Sequence, residues 1–351
     1  MDKKIVFFTG AMTRGGAERV ISILSRHYAE IGWSVQISTV LHSDVDYELD
    51  ARVRVVDLSS ANGIRKDFLR VLGNIRRYLK KEKPDVCVVF MAPINMLVGL
   101  AAIGLGLPLV MSERIDPSQE NRNILYKSLI NYFYSSNKKT ILQTQRVMDY
   151  FPRKVQKNSV IIANPICVNA EAASVSKHKI VSAGRLVPQK NQQMLIKAFA
   201  EFKAEYPEYS LEIYGEGPLR EKLQNLISEL GVSDCVKLPG NVPNLHECIA
   251  DAEIFVLPSD FEGLSNALLE AMMMGLPCIA TRCAGCDEVI NDGENGLLID
   301  VGDAEGLLQS LIKLVSNPEY ARQMGAIGKK ESEKFRVNNV IDLWKQVIEE
   351  E

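Results

Sequence analysis

Short apolar runs alternate with amphipathic stretches over most of the chain. In the first half, the apolar runs that predict β-strands cover residues 5–9, 34–40, 86–90, 109–112, 140–143 and 159–162. Residues 16–31 and 66–81 instead carry apolar positions at the spacing of a helix. Continuously apolar strands are typical of a parallel sheet that is covered by helices on both faces. The first half therefore predicts a doubly wound α/β domain.

The same alternation restarts at residue 179. The strands predicted there cover residues 179–183, 210–214, 236–238, 254–257, 278–281 and 296–299. The helices predicted there cover residues 192–206, 218–230 and 243–250, a helix that begins near Leu264, and the whole of residues 304–351. A chain of 351 residues is long enough for two such domains, each with its own core. We therefore predict a first domain over residues 1–165, a linker over 166–177, a second domain over 178–330 and a C-terminal helix over 331–351.

Charge is divided unevenly between the two halves. Residues 1–165 contain 24 Lys and Arg against 15 Asp and Glu, whereas residues 166–351 contain 17 against 29. Much of the basic excess lies in and around the helix predicted over residues 66–81, at Arg65, Lys66, Arg70, Arg76, Arg77, Lys80, Lys81 and Lys83. Such a helix either lies on an anionic membrane surface or exposes its charges to water. We expect no nucleic-acid partner.

The seven cysteines favour a reducing compartment. Their number is odd, they are scattered, and no export signal precedes the first predicted strand. The longest apolar run, residues 96–111, is shorter than the roughly 20 residues needed to span a bilayer. We therefore expect a cytoplasmic protein. The motif Cys283-Ala-Gly-Cys286 has the spacing of a redox or zinc motif, but no second pair follows it, which favours an ordinary loop.

A glycine-rich turn joins the first predicted strand to the first helix. Residues 10–19 read GAMTRGGAER, and such a turn is where a doubly wound domain approaches a phosphate. The turn matches neither the Walker A motif nor G-x-G-x-x-G, which argues against an ATPase and a dehydrogenase. Ser112-Glu113-Arg114 ends another strand of this domain, so that Glu113 and Arg114 are further candidates for ligand contact. The D-x-D pattern at Asp44 and Asp46 is interpreted as a chance match, and no metal site is predicted.

The densest set of candidate residues lies in the second domain. Arg185 and Lys190 follow its first predicted strand and Glu262 follows a later one, so that all three lie at one edge of the sheet. Glu270 lies two turns along the next helix, roughly 10 Å from Glu262 at 1.5 Å per residue. Two cations suit a diphosphate, and two separated carboxylates suit hydroxyl groups at the two ends of an elongated ligand. A nucleotide sugar has this arrangement of groups.

Five segments together resemble the retaining glycosyltransferases of family 4. They are GGAER at 15–19, GRLVPQKN at 184–191, YGEGPLR at 214–220, SDFEGLSNALLEAMMMGLP at 259–277 and NGLL at 295–298. Members of this family have the GT-B fold, in which two Rossmann-like domains face each other across a cleft and the last helix crosses back to the first domain. The resemblance implies transfer of a sugar from a nucleotide sugar, usually a UDP-sugar, with retention of configuration and without a divalent metal or other cofactor.

The resemblance also implies roles for individual residues. Arg185 and Lys190 would hold the diphosphate, Glu262 the sugar hydroxyls and Glu270 the ribose. Further contacts with the donor would come from Gly15, Gly16, Gly184, Gly215, Val242, Gly263, Leu264 and Ser265. Glu113 and Arg114 are candidates for the sugar and acceptor side. Arg114 stands where many members have a histidine, which leaves the identity of the sugar open.

The implied acceptor is a saccharide or a lipid-diphosphate-linked glycan of a bacterial surface polysaccharide. Such an acceptor would place the enzyme peripherally on the inner face of the plasma membrane. Two alternatives remain open. A UDP-sugar epimerase of similar architecture would need acid–base residues that the sequence does not identify, and a non-catalytic nucleotide-sugar-binding protein would not need both Arg185 and Lys190.

Overall fold

The computed structural model describes residues 3–13, 15–60, 66–119, 122–172, 177–283 and 285–350. Arg14, Arg65 and Ala284, which belong to the motifs above, lie outside these ranges, as do residues 173–176 of the predicted linker. The chain divides into two compact units, the first comprising Met1–Pro165 with Val337–Glu351 and the second comprising Ile166–Arg336.

The first unit is built on a parallel sheet. Its strands are β1 (Lys4–Thr9), β2 (Ser34–Thr39), β3 (Arg54–Asp57), β4 (Val86–Phe90), β5 (Leu109–Ser112), β6 (Lys139–Leu142) and β7 (Ser159–Ile161). Within the described residues they pair in the order β3-β2-β1-β4-β5-β6-β7, and every neighbouring pair is parallel. Since β1 lies beside β4, the chain builds outward to one edge and then restarts toward the other. That reversal creates a crevice beyond the carboxyl ends of β1 and β4.

Helices connect these strands. They are α1 (Gly16–Glu30), α2 (Phe68–Glu82), α3 (Ala92–Ala102), α4 (Ile124–Ser136), α5 (Gln145–Tyr150) and α6 (Arg153–Lys157). The sequence pattern does not predict β3, α4 or α6. Strand β3 is a largely exposed edge strand without an apolar run, and α4 is rich in Ile, Tyr and Phe, whose preference for strands conceals a helix with few buried positions.

The second unit repeats the architecture with different residues. Its strands are β8 (Lys179–Ala183), β9 (Ser210–Tyr214), β10 (Val236–Gly240), β11 (Ile254–Leu257), β12 (Cys278–Thr281) and β13 (Leu297–Ile299). They form a parallel sheet in the order β10-β9-β8-β11-β12-β13. The helices are α7 (Gln192–Glu205), α8 (Arg220–Glu229), α9 (Leu245–Ile249), α10 (Asn266–Met274), α11 (Ala304–Val315) and α12 (Pro318–Ser332). Both units are thus Rossmann-like, which confirms the predicted α/β fold class.

Residues 304–351 are predicted to be helical throughout, and the described part of this stretch forms three α-helices with two breaks between them. The first break falls at Ser316 and Asn317, because Pro318 disfavours a helical conformation in the preceding residue, and Asn317 has φ −132° and ψ 70°. The second break separates α12 from α13 (Val337–Glu349). Helix α13 belongs to the first unit, where Trp344 is fully buried and stacks on Phe90 with 5.7 Å between the ring centroids.

The described part of the predicted linker is fastened to the second unit. The Ile166 N–H donates to the Phe335 carbonyl at 2.8 Å, and the Ala172 N–H donates to the Met274 carbonyl at 3.0 Å. Lys177, at the other end of the segment, forms an ion pair with Asp251 at 2.9 Å. These contacts attach residues 166–172 and 177 to the body of that unit. Among the helices of the described ranges, none has both the length and the apolarity that crossing a bilayer requires.

Candidate active site

The strand order of the second unit places its candidate residues at one crevice. Strands β8 and β11 are neighbours although two other strands separate them in the chain. Ligands of doubly wound sheets bind beyond the carboxyl ends of such a strand pair. The segment 184–191 leaves β8 at that end and the segment 258–265 leaves β11 beside it.

Three hydrogen bonds join these two segments. The Asp260 N–H donates to the Gln189 carbonyl at 2.8 Å, and the Gln189 side-chain amide donates to the Phe261 carbonyl at 2.7 Å. The Asn191 side-chain amide donates to Asp260 Oδ1 at 2.8 Å. The two segments therefore hold each other in register.

Lys190 and Glu262 meet directly at the centre of this crevice. The Lys190 ammonium donates to Glu262 Oε1, and the side chains are 15% and 10% exposed. The fully buried Ser259 hydroxyl donates to the same oxygen at 2.7 Å. Ser259 is in turn held by the Thr281 hydroxyl, which donates to the Ser259 carbonyl. One Glu262 oxygen thus accepts two hydrogen bonds, and these fix the orientation of the carboxylate.

Arg185 lies on the same segment as Lys190 but projects into solvent. Its side chain is exposed, while its carbonyl accepts a hydrogen bond from the Gln192 side chain at 2.9 Å. The backbone beside it is packed closely, because a Cβ at Gly215, which has φ +133°, would lie 2.1 Å from the Gly184 carbonyl oxygen. Gly215 therefore allows the β9 turn to approach the segment that carries both cations.

Helix α10 begins at Asn266, two residues later than predicted. Ser265 is the N-cap, and its hydroxyl accepts from the Leu268 N–H at 3.5 Å. Gly263 and Leu264 precede the cap, so that the three predicted backbone donors lie together at the start of the helix. The N–H groups of a first helical turn have no partner within the helix, and such a turn favours an anionic ligand. At the far end, Gly275 adopts φ +92° and terminates the helix.

Glu270 lies in the middle of α10 and is 5% exposed. Its Oε2 lies 3.2 Å from Nε2 of His246, on the short helix α9. Nδ1 of His246 lies 2.7 Å from Oδ1 of Asn169. The imidazole therefore connects the Glu270 carboxylate to the segment before β8. Val242, in the turn before α9, is half-buried, and its predicted contact with the donor stays a prediction.

In the first unit, the glycine-rich turn leads directly into α1. Gly15 is the N-cap and Gly16 is the first helical residue. The Gly15 carbonyl accepts from the Tyr47 hydroxyl at 2.9 Å, and a Cβ on Gly15 would lie 2.2 Å from Oε2 of Glu18. Burial raises the pKa of the Glu18 carboxyl, which is 8% exposed. Donor contact by Gly15 and Gly16 stays a prediction.

Glu113 is buried in the first unit, where it pairs with Arg122. Its residue exposure is 1%, and its Oε2 accepts from Arg122 Nη2 at 3.0 Å and from the Tyr134 hydroxyl at 3.1 Å. The ion pair is among the most buried of the described residues, with side-chain exposures of 3% and 0%. These contacts hold the Glu113 carboxylate in place, and its predicted contact with a sugar or acceptor stays a prediction.

Arg114 packs against aromatic rings. Its guanidinium carbon lies 5.0 Å from the centre of the Phe90 ring and 5.5 Å from that of Trp344, and Nη1 donates to Asn164 Oδ1 at 2.8 Å. Burial lowers its pKa to about 9, so it stays charged at neutral pH. Nε and Nη2 are buried without a hydrogen-bond partner in the described part of the chain. In this structure Arg114 fastens α13 to the sheet.

Several residues of the site escape prediction from sequence. Ser259 is visible only as a polar residue at a strand end, and His246 and Asn169 lie 24 and 101 residues from Glu270 in the chain. No local pattern marks such pairs. Within the described ranges, no group of three or more His, Cys, Asp or Glu side chains is placed to hold a metal ion.

Fold and site together define a protein with two Rossmann-like units. The second unit has a polar crevice suited to an anionic, hydroxyl-rich ligand. Sequence comparison then identifies the family. Residues 14–169 match the model described as Glycosyltransferase Family 4, and residues 168–331 match the model described as Glycosyl transferases group 1. The chain belongs to the glycosyltransferases that carry these two domains.

Individual proteins agree with this assignment. An uncharacterized glycosyltransferase of Haemophilus influenzae is 26% identical over 99% of this chain and 100% of its own length. A Campylobacter jejuni α-1,4-N-acetyl-D-galactosaminyltransferase, whose name gives an undecaprenol-diphosphate-linked acceptor, is 26% identical over 99% of this chain and 98% of its own. The crystal structure of Anabaena HepE in complex with UDP and glucose matches with a TM-score of 0.82 at 17% identity, over 98% of each chain. The fold is thus that of GT-B glycosyltransferases.

Proposed function

We propose that the protein transfers a sugar from a UDP-sugar to a saccharide or lipid-linked glycan, with retention of configuration and without a metal ion. The observation that carries this proposal is the contact between Lys190 and Glu262 at the crevice of the second unit, with Glu270 further along α10. The cation proposed for the diphosphate thus lies beside one carboxylate, and the second carboxylate is on the helix that follows. A nucleotide sugar likewise has its diphosphate between the hydroxyl groups of the sugar and those of the ribose.

The proposed role of Lys190 and Arg185 is to stabilise the leaving diphosphate. Negative charge accumulates on the diphosphate as the bond to the sugar breaks, and cations fixed in advance lower the energy of that state. Lys190 is held by Glu262 and is partly buried, which limits screening by water. Arg185 is exposed and offers a planar fork to phosphate oxygens. The N–H groups at the start of α10 supply further donors.

The two carboxylates are proposed to accept hydrogen bonds from hydroxyl groups at the two ends of the donor. Ser259 and Lys190 together occupy one oxygen of Glu262, and Oε2 is left to accept from a sugar hydroxyl. Glu270 is assigned to the ribose, and His246 holds its carboxylate from the side of α9. No side chain at this crevice is assigned as a nucleophile, and in the proposed mechanism the leaving phosphate takes the acceptor's proton on the same face of the sugar.

Relatives support the choice of donor and acceptor. The HepE structure contains UDP and glucose, and the names of two Campylobacter jejuni relatives, which align with 99% and 91% of this chain, specify acceptors on a diphosphate-linked undecaprenol. An enzyme with a lipid-linked acceptor meets that acceptor at a membrane surface. We extend the proposal to peripheral attachment at the inner face of the plasma membrane, through the basic surface of α2.

A binding and turnover screen tests the proposal. The purified protein is heated with UDP, GDP, ADP and a panel of their sugars in EDTA, because a ligand that binds only the folded state raises the melting temperature. We expect stabilisation by UDP and by one UDP-sugar. The stabilising donor is then incubated with lipid-linked and free saccharides, and the anomeric configuration of the product is read by NMR.

The same screen separates the competing functions. Conversion of the donor to another UDP-sugar without any acceptor would identify an epimerase. Binding of a UDP-sugar without turnover on any acceptor would identify a sensor. Loss of binding in EDTA would contradict metal independence, and an inverted product would contradict retention.

A further inference from the structure

The turn from Cys283 to Cys286 follows β12 and holds two buried thiols side by side. Their sulfur atoms lie 3.3 Å apart, and the residues are 4% and 0% exposed. The turn is closed by the Cys286 and Asp287 N–H groups, which donate to the Cys283 carbonyl at 2.9 and 3.2 Å. To reach the disulfide bond length of about 2.05 Å, the two sulfur atoms need to approach by only about 1.2 Å.

The two thiols differ in their surroundings. The neighbouring Cys286 thiol lowers the pKa of Cys283, against the opposing effect of burial. The pKa of Cys286 is raised by the same neighbour and by burial. The thiolate is the nucleophilic form of cysteine, and Cys283 is also the one that retains exposed surface. We therefore expect Cys283 to react first and Cys286 to resolve the product.

The backbone of this turn is in close contact with the backbone at the start of α10. A Cβ on Gly285 would lie 1.4 Å from the Gly263 carbonyl oxygen, so the two backbones touch at a position that only glycine permits. Thr281, two residues before Cys283, donates its hydroxyl to the Ser259 carbonyl. A displacement of Gly285 is therefore transmitted to Gly263, which belongs to the proposed phosphate-binding backbone.

We propose that Cys283 and Cys286 form a reversible disulfide, and that this disulfide weakens donor binding by displacing the Gly263–Ser265 segment. The second half of this statement rests on the proposed function. Formation of the disulfide draws Cys283 and Cys286 together. Because Gly285 is in contact with Gly263, the turn cannot move without moving the segment that contains Gly263. The reduced protein is the form that binds donor.

A hydroperoxide supplies the oxidant. The Cys283 thiolate attacks one oxygen of hydrogen peroxide, the O–O bond breaks, and the sulfenic acid forms with release of hydroxide, which takes up the thiol proton as water. The Cys286 sulfur then attacks the sulfur of Cys283, and a second water leaves with the Cys286 proton. Two thiols lose two electrons, and one peroxide becomes two waters.

The test uses the full chain with the two more accessible cysteines replaced, Cys167→Ser and Cys248→Ser. The protein is treated with hydrogen peroxide, free thiols are blocked, and the peptide that contains both cysteines is weighed. We expect a loss of two hydrogen atoms that dithiothreitol reverses. Amide hydrogen exchange over residues 259–268 is expected to rise on oxidation, and the Kd for UDP is expected to rise about tenfold or more.

Cys286→Ser in the same background is the matched control, and it should show neither the disulfide nor the rise in exchange. Two free thiols after peroxide treatment would overturn the proposal, as would a disulfide that changes neither exchange nor UDP affinity. If the reduced protein fails to bind UDP, the proposed function fails. The mass and exchange measurements still decide whether the disulfide forms and moves the segment.

Discussion

At the scale of single residues, Lys190 is the side chain on which the proposed transfer depends most. We expect Lys190→Ala to lower kcat by about 10²-fold, because removal of one fixed donor to a developing negative charge typically costs that much. The measurement is release of UDP in the presence of the acceptor identified by screening. Lys197→Ala is the control, since Lys197 is an exposed lysine of α7 in the same unit. Equal turnover in the Lys190 and Lys197 variants would refute the diphosphate assignment.

A second prediction at this scale concerns pH and stability. Glu82 Oε2 accepts from Gln36 Nε2 at 2.9 Å and from Lys4 Nζ at 3.1 Å, and these contacts lower its pKa. Because the pKa is lower in the folded state, the stabilisation is present above the unfolded pKa and is lost as pH falls through the folded one. We expect Glu82→Gln to cost about 1 kcal/mol at pH 7 and almost nothing at strongly acidic pH.

Urea denaturation of wild type and Glu82→Gln at several pH values measures this difference. Glu30→Gln is the matched control, because Glu30 ends α1 as Glu82 ends α2 but is exposed. A difference between wild type and Glu82→Gln that stays constant with pH would exclude a contribution from the carboxylate charge.

Some contacts between residues can be predicted from the sequence and others cannot, for a physical reason. The carboxyl ends of parallel strands share one edge, which is enough to bring Lys190 and Glu262 together although 72 residues separate them. Nothing comparable predicts that Glu113 pairs with Arg122, or that Arg114 packs on Trp344, because those directions depend on rotamers and on packing. The contacts that Glu113 and Arg114 make within the first unit are therefore visible only in the structure.

At the scale of elements, strands are predicted better than helices. An apolar run marks a buried strand whatever its surroundings, and β4, β8, β9, β11 and β12 have the predicted bounds. Helix α4 has only three buried residues and no strong periodicity, so its position is decided by tertiary packing. Helix α10 begins at Asn266, later than predicted, because the Ser265 hydroxyl provides the cap.

Helix α2 carries the element-scale prediction about membranes. Arg77, Lys80 and Lys81 are exposed, whereas Arg76 donates to the carbonyl groups of Ala101 and Ile103 at 2.7 and 2.8 Å. We expect replacement of the three exposed residues by Gln to reduce binding to vesicles containing phosphatidylglycerol by about 1 kcal/mol per charge. Sedimentation with vesicles at two salt concentrations measures this binding.

The control for that experiment removes three exposed lysines of the second unit, Lys197, Lys222 and Lys237. The α2 variant should lose affinity and salt dependence, and the control should retain both. Equal binding by the two variants would show that the basic face of α2 is an ordinary hydrated surface.

At the scale of the whole molecule, the chain returns to its first unit through α13. Trp344 is 0% exposed, stacks on Phe90 and packs against Arg114. We expect Trp344→Ala to destabilise the first unit by ~3–5 kcal/mol, the usual cost of removing a large buried aromatic side chain. Leu343→Ala is the control, since Leu343 is 40% exposed on the same helix and should cost about 1 kcal/mol.

Tryptophan fluorescence reports on this unit selectively. The chain has two tryptophans, Trp33 and Trp344, and both belong to the first unit. In Trp344→Ala, Trp33 remains as the reporter of urea unfolding. A midpoint equal to that of Leu343→Ala would contradict the structural role assigned to α13.

Calorimetric titration with UDP in EDTA measures whether the crevice at β8 and β11 binds a uridine nucleotide. We expect binding by wild type, binding weakened about tenfold or more in Glu270→Gln, and unchanged binding in Glu229→Gln, whose carboxylate is exposed at the end of α8. Absence of UDP binding by the wild type, or equal affinity in all three proteins, would refute the proposed donor site.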